Sequence, residues 1–351
     1  MKPKIILEQN LRSWIDNMAK RYPVHAPVPH NGDYDYKPIT HSSEIAFGFD
    51  RTRMSGKHLF FKPEERLMEA SRTQGNAHSV ELETDQQIIF GLRPCDITAL
   101  NLFDKVFSGD YYDPYYFAQR ERNIVIGLRC RDECRTCFCG TMNSYNPLNG
   151  FDIMLTELSA GKYVVELGTE KGKQLVRQDA HLMHDITAAE SRLAREVYDD
   201  IEETFHPHVS LVGVRALMDA QLPDELLKKY EDICLSCGQC TFVCPTCWCF
   251  KVSEVVGADP EDFGNIDKTA RVRTWTSCLY KNFHTVSGAP PHVFKPKSGS
   301  RLEAYYDHKL KGITQKFGEF GCVGCGRCFQ SCPVGIDIRE TLSVLTGMEG
   351  I

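Results

Sequence analysis

The chain has 351 residues, 42% of them hydrophobic and 25% charged, and a formal net charge of −6. That length suits two domains with proper cores, and a mildly acidic chain is a poor match for nucleic acid, which wants a basic face. No apolar run is long enough to span a membrane, and the start, MKPKIILEQNLRSW, does not read as a secretory signal, so the expected location is cytoplasmic.

In chain order, Leu7, Leu11, Trp14, Ile15 and Met18 recur at helical spacing and predict a helix over Ile5–Arg21. Residues 22–42, rich in Pro, Gly, His and Asp, read as loop. QQIIFGL (Gln86–Leu92) reads as a buried strand, and DITALNLFDKVF (Asp96–Phe107) as a helix with Asp96 at its N-cap. NIVIGL (Asn123–Leu128) is a second buried strand. DIMLTEL and KYVVEL, joined across Ser159–Lys162, predict a hairpin. Ile186, Leu193, Val197, Ile201 and Phe205 mark a longer helix. Strand and helix thus alternate up to about residue 215, which predicts an α/β domain. A boundary is expected near 210–220. LPDELLKKYEDI then reads as a short helix running into Cys234. Strand signals are few beyond it, so a mostly α-helical domain is expected over 216–351. The basic run FKPKSGSR (Phe294–Arg301) reads as a solvated loop, or more sharply as a docking patch for an acidic partner.

Sixteen cysteines are too many for chance, and structural disulfides do not suit a reducing compartment. CLSCGQCTFVCP (Cys234–Pro245) aligns without gaps to CVGCGRCFQSCP (Cys322–Pro333). Both are C-x2-C-x2-C-x3-C-P, the run that holds [4Fe-4S] clusters in bacterial-type ferredoxins. Thiolate is a soft ligand suited to iron–sulfur chemistry. Three close cysteines wrap one face of a cube and the fourth ligates the other cluster. The expected sets are therefore crossed. Cys234, Cys237, Cys240 and Cys332 hold one cluster; Cys322, Cys325, Cys328 and Cys244 hold the other. Paired zinc sites are the rival, but zinc needs two pairs rather than a triplet followed by C-P, twice over.

Cys95 and Cys130 each follow a predicted buried strand, and Cys137 and Cys139 lie in the loop that starts at Cys130. In an open α/β sheet, neighbouring strand ends form the crevice where sites are built. If the two strands are adjacent and parallel, Cys95, Cys130, Cys137 and Cys139 converge and suggest a third [4Fe-4S] cluster; buried or incidental cysteines are the bland alternative. CRDECRTC also matches the triplet of radical S-adenosylmethionine enzymes, but too few residues follow to build their barrel. Cys134 is then the spare cysteine.

Taken together, RTRMSGKHLFFKPEERL (Arg51–Leu67), FGLRPCDITALNLFDKVF (Phe90–Phe107), RTCFCG (Arg135–Gly140), CPTCWC (Cys244–Cys249), RTWTSC (Arg273–Cys278) and both ferredoxin runs resemble one family. It is that of the iron–sulfur β subunits of cytoplasmic [NiFe] sulfhydrogenases and the corresponding iron–sulfur subunits of anaerobic sulfite reductases. The resemblance covers most of the chain. It implies Cys95, Cys130, Cys137 and Cys139 as the N-terminal set, with Cys134 peculiar to this chain. It also marks Cys247, Cys249 and Cys278 as a trio in the family's pattern. Either the trio ligates with a fourth group, for which His292 is a candidate, or it packs around the clusters and tunes them.

No G-x-G-x-x-G opens a helix after a strand, and no P-loop, G-x-S-x-G or zincin motif is present. The expected role is an electron-transfer subunit between a flavin/NAD(P)-binding subunit and a catalytic metal subunit. By resemblance that catalytic partner is a [NiFe] hydrogenase, a sirohaem sulfite reductase or a heterodisulfide-reductase-type complex. No catalytic residue is assigned. The alternative is a self-contained reductase with flavin at the strand ends near Cys95 and Cys130.

Overall fold

A computed structural model describes residues 2–347 except 72, 160, 208–209, 220–221 and 258–266. Part of the expected hairpin joint, Ala160, therefore lies outside the described residues. The strands are β1 (Lys4–Leu7), β2 (Val24–His30), β3 (Asp33–Ile39), β4 (Glu64–Ser71), β5 (Asn76–Ser79), β6 (Gln87–Leu92), β7 (Asn123–Leu128), β8 (Ile153–Ser159), β9 (Lys162–Leu167), β10 (Met183–Asp185), β11 (Phe250–Val256) and β12 (Lys268–Trp275), followed by a short hairpin, Thr285–Val286 with His292–Val293.

Eight strands form one mixed sheet in the order β10-β1-β9-β8-β7-β6-β2-β3. Its centre, β2, β6, β7 and β8, is parallel; the flanks are antiparallel. Every residue of β6 and β7 is buried, as a parallel strand covered on both faces requires. Leu11, Trp14, Ile15 and Met18 of helix Glu8–Arg21 pack on one face, against Ile88, Phe90, Ile124 and Ile126. Ile97, Leu100 and Phe103 of helix Pro94–Phe107 pack on the other, against Ile89, Val125 and Met154.

Three local expectations are corrected. The first helix starts at Glu8, because Ile5 and Ile6 are buried in β1 between β9 and β10. Residues 22–42 are not loop but the β2–β3 hairpin. Asn31 and Gly32 both have positive φ, at 50° and 77°, which is the two-residue turn an Asn-Gly pair favours. Pro27, Pro29 and Pro38 hide the strands in sequence. β2 pairs with β6 only at Val24 and His25, ahead of its prolines, where its N–H groups are still available. Finally, Asp96 is not an N-cap: the helix begins at Pro94, a residue suited to the first helical position, with Arg93 before it.

The C-terminal half carries helices Asp224–Ile233, Gln239–Val243, Ser298–Asp307, Ile313–Phe317, Arg327–Gln330 and Ile338–Thr346 around a core that includes Tyr230, Leu302, Tyr306, Leu310 and Leu342. It also supplies two strands that the sequence reading missed. β11 and β12 join β4 and β5 in an antiparallel sheet of order β11-β12-β4-β5, built from both sides of residue 215. No helix among the described residues is long and apolar enough to cross a membrane.

Candidate iron–sulfur centres

In each ferredoxin run, the glycine of C-G-x-C takes a left-handed conformation and starts a short helix. Gly238 (φ 78°) precedes Gln239–Val243 and Gly326 (φ 69°) precedes Arg327–Gln330. Only glycine adopts that conformation freely.

Cys234, Cys237 and Cys240 of the first run line one cavity together with Cys332 and Cys328 of the second. The rings of Tyr305 and Tyr306 close it on the inside. Cys237 and Leu235 are exposed, so this cavity lies at the surface. The Ile336 N–H donates to Cys332 Sγ at 3.3 Å. Hydrogen bonds to sulfur of this kind help set cluster potentials.

Cys322, Cys325 and Cys328 of the second run lie deeper, with Cys244 of the first run in their electrostatic neighbourhood. Burial pushes the Cys322 thiol up to about 12, and raises Cys325 and Cys328 too. A thiol so raised stays neutral until a metal cation compensates the thiolate charge. The Gly324 N–H donates to Cys322 Sγ at 3.3 Å.

At the N-terminal site β6 and β7 are adjacent and parallel, so their carboxyl ends coincide. Cys95, Cys130, Cys137 and Cys139 line one cavity there. Cys134, set aside in the sequence reading, lines it as well; its N–H donates to Cys137 Sγ at 3.0 Å. Cys137 and Cys139 are 3.9 Å apart, sulfur to sulfur. Burial pushes the Cys130 thiol up to about 11. Tyr145 and Phe205, stacked at 5.2 Å, also line the space. A further lining residue comes from the second ferredoxin run: Cys325.

The second run is clamped to this loop. Phe138 N–H donates to Gly324 O at 2.7 Å and Ser144 Oγ to Val323 O at 2.6 Å. A Cβ on Gly326 would stand 2.1 Å from Thr136 O, and one on Gly324 2.6 Å from Phe138 O. Arg51 donates to Cys325 O, to Gln330 and to Thr136 Oγ1. Arg327 makes a two-pronged pair with Asp96, at 2.8 Å on both arms, and also donates to Thr52 O.

Cys247 is buried in hydrogen-bonding contact with Cys244, and Cys249 is in the same relation to Cys278. His292 stands exposed on the short hairpin, its ring edge-on to Phe294; no hydrogen bond joins it to the trio among the described residues. Among those residues, no three cysteine, histidine or carboxylate groups close on a single point as they would around one metal ion. The thiols of the first run with Cys332, and those of the N-terminal site, instead line cavities, and sulfur is the donor that iron–sulfur clusters take.

A family model described as a 4Fe-4S dicluster domain matches residues 233–336. Sulfhydrogenase 2 subunit beta of Pyrococcus furiosus is 29% identical over 321 residues, covering 91% of each chain. The chain fits the iron–sulfur beta-subunit family. A chain in the structure of the xenon-derivatised F420-reducing [NiFe] hydrogenase complex from Methanosarcina barkeri shares 9% identity at a TM-score of 0.38. That match covers 67% of this chain and 94% of that one.

Sequence reasoning on this beta-subunit homologue missed the buried cations around the thiols. Lys57 donates to Thr241 O at 3.1 Å and Cys247 O at 3.0 Å. Burial pushes its ammonium down to about 8. Lys309, in a π-helical turn over His308–Gly312, donates to Thr246 Oγ1 at 2.8 Å and Thr246 O at 3.2 Å. Burial would lower it, but the Cys244 and Cys247 sulfurs outweigh that and hold it above its ordinary value. The available signal was position: Lys57 lies in one family-like stretch and Lys309 follows a helix between the two runs. A lysine in a sequence nevertheless reads as a surface residue.

Proposed function

We propose that the chain is a three-cluster electron relay within an oxidoreductase complex. Cys234, Cys237, Cys240 and Cys332 hold the outer [4Fe-4S] cluster. Cys322, Cys325, Cys328 and Cys244 hold the middle one, and Cys95, Cys130, Cys137 and Cys139 hold a third. The observation that carries this reading is the place of Cys325, a residue of the middle set that also lines the N-terminal cavity. On the other side, Cys328 of the middle set lines the outer cavity. Three thiol sets thus follow one another through the molecule with shared walls.

Bound clusters of this kind supply one-electron steps. The chain's own part is to fix their order, exclude water from the middle set and present two ends. One end is the exposed Cys237 with Leu235 beside it. The other is an open cleft beside Cys130 and Cys134 at the carboxyl ends of the parallel strands. The partners proposed are a flavin/NAD(P)-binding subunit and a catalytic metal subunit. The sulfhydrogenase relative favours a [NiFe] hydrogenase as the latter, with a sulfite reductase as the rival. The cleft also supports a second reading, a self-contained reductase with flavin bound there. Two of its three arginines weigh against that, because Arg129 and Arg131 are already paired with Glu166 and Asp200.

The test is anaerobic purification of the native complex and of the isolated chain, counting iron, sulfide, nickel and flavin in each. About twelve irons on the isolated chain supports the relay, and about eight removes the N-terminal cluster from it. Nickel in the complex supports the hydrogenase partner, and sirohaem without nickel replaces it with sulfite reduction. Flavin retained by the isolated chain, with turnover of its own, overturns the subunit reading.

A further inference from the structure

Some buried cations in this protein stand against carboxylates. Arg327 has Asp96, and Arg273 has Glu65 and Asp113. Lys57 and Lys309, 4% and 1% exposed, do not. The Lys57 ammonium rests on two carbonyls and lies 4.4 Å over the Trp275 ring. The Lys309 ammonium rests on the carbonyl and hydroxyl of Thr246 and lies 5.6 Å from the Tyr305 ring centre. Among the described residues neither has a carboxylate at ion-pair distance. An ammonium taken out of water without an anion is costly.

The groups nearest to both lysines that can carry negative charge are sulfurs. Thr246 Oγ1, which accepts from Lys309, is 3.3 Å from Cys244 Sγ. Lys57 spans the same turn from the other side, between Thr241 O and Cys247 O. Cys244 is thus held between two ammonium groups. At the outer set cysteines lead the charged neighbours of Cys240, and the buried cation there is Arg301, which donates to Ser236 Oγ at 2.9 Å and Leu279 O at 2.8 Å. The two proposed ferredoxin-type clusters therefore differ in field, although their binding runs match.

We infer that Lys57 and Lys309 are positioning charges that raise the reduction potential of the cluster bound through Cys244, making the buried middle centre the resting place of the electron. The inference rests on the cluster assignment above. A reduced cluster carries one more negative charge than its oxidised form, so a fixed cation nearby in low dielectric stabilises the reduced form selectively. Two such charges act on the middle set through Cys244, while the cation beside the outer set is Arg301.

The experiment is an anaerobic redox titration of the full chain followed by electron paramagnetic resonance, with the outer cluster's signal identified by its loss in Cys332→Ser. Lys309→Met and Lys57→Met are compared with the charge-keeping Lys309→Arg, with iron and sulfide counted in each. The expected result is a midpoint shifted negative for the middle cluster in both Met variants, a larger shift in the double variant, and an outer cluster that does not move. Lys309→Arg stays near the parent value. A purely structural lysine would not separate the two signals in this way. Full iron content with an unmoved midpoint in both Met variants overturns the inference, as does loss of iron in both. A parent chain without iron–sulfur signals overturns the cluster assignment instead, and the iron count separates that failure from the others.

Discussion

The two ferredoxin runs match in pattern and differ in surroundings. After the glycine of C-G-x-C, the first run has Gln239, exposed; the second has Arg327, fully buried against Asp96. The first run borders an open surface with Leu235 63% exposed. The second is clamped between Thr52, Thr136, Phe138 and Asp96. The repeated motif thus recurs in two different settings, and in the proposed relay the residues between the cysteines would decide whether a run serves as a port or as an interior station.

The comparison breaks most visibly if the ligand sets are not crossed. Cys332→Ser, although it lies in the second run, is expected to empty the surface site, and Cys244→Ser the interior one. Each variant loses about four irons, and paramagnetic resonance reads which signal goes. Uncrossed sets would exchange the two signals.

Next in size is the buried pair. Asp96→Ala leaves Arg327 charged and unpaired, and is expected to cost about 3–5 kcal/mol in denaturant unfolding. Gln239→Ala, at the matching place in the first run, is expected to stay within about 0.5 kcal/mol. The glycines sharpen the same contrast. Gly238→Ala places a residue at positive φ at a cost of about 1–2 kcal/mol, since its Cβ would meet the Ser277 side chain at 3.0 Å. Gly326→Ala adds a collision at 2.1 Å with the Thr136 carbonyl and is expected to cost more.

A smaller effect is expected at Glu190, at the start of the helix whose far end leads into Phe205 of the N-terminal cavity wall. Burial would raise its carboxyl, but hydrogen bonds from Thr187, Lys162 and His184 outweigh that and hold it at about 2. With Thr187 it forms a capping box on helix Ala188–Thr204, which leads into Phe205. The folded carboxyl titrates below its ordinary value. Its contribution is therefore complete above about pH 4.5 and disappears as pH falls toward 2. Glu190→Ala should cost about 1 kcal/mol at neutral pH, and the difference from the parent should close in acid unfolding. The smallest effect is expected at Cys278. Cys278→Ser should keep all its iron, because the three proposed sets are complete without it; loss of iron would make it a ligand.

Much of this was legible in sequence where residue chemistry and spacing coincide. β7 appears as Asn123–Leu128, the range its unbroken apolar run predicts. The convergence of Cys95 with Cys130 followed from two strands each ending near a cysteine. Pattern failed where a long-range partner overrode it. Ile5 and Ile6 extend a helical stripe in sequence, but β9 and β10 offer them sheet positions. The prolines of β2 and β3 hid a hairpin whose turn, Asn31-Gly32, was itself in view. β11 gives no alternating signal because most of its residues are exposed on both faces. Asp96 looked like a cap because its partner, Arg327, is 231 positions away. Lys57 and Lys309 carried no local mark of burial, since burial arises from the packing of distant elements.

The sheet shared by the two halves has a consequence during synthesis. Thr269 of β12 reaches the Ala70 carbonyl of β4 across 199 residues of chain. Until β12 leaves the ribosome, β4 has β5 on one side and an unfilled edge on the other, and an open edge invites other strands. Cys325, which completes the wall of the N-terminal cavity, emerges later still. The thiols made first therefore wait for the residues made last, and the open edge of β4 stays exposed to other strands until β12 folds back.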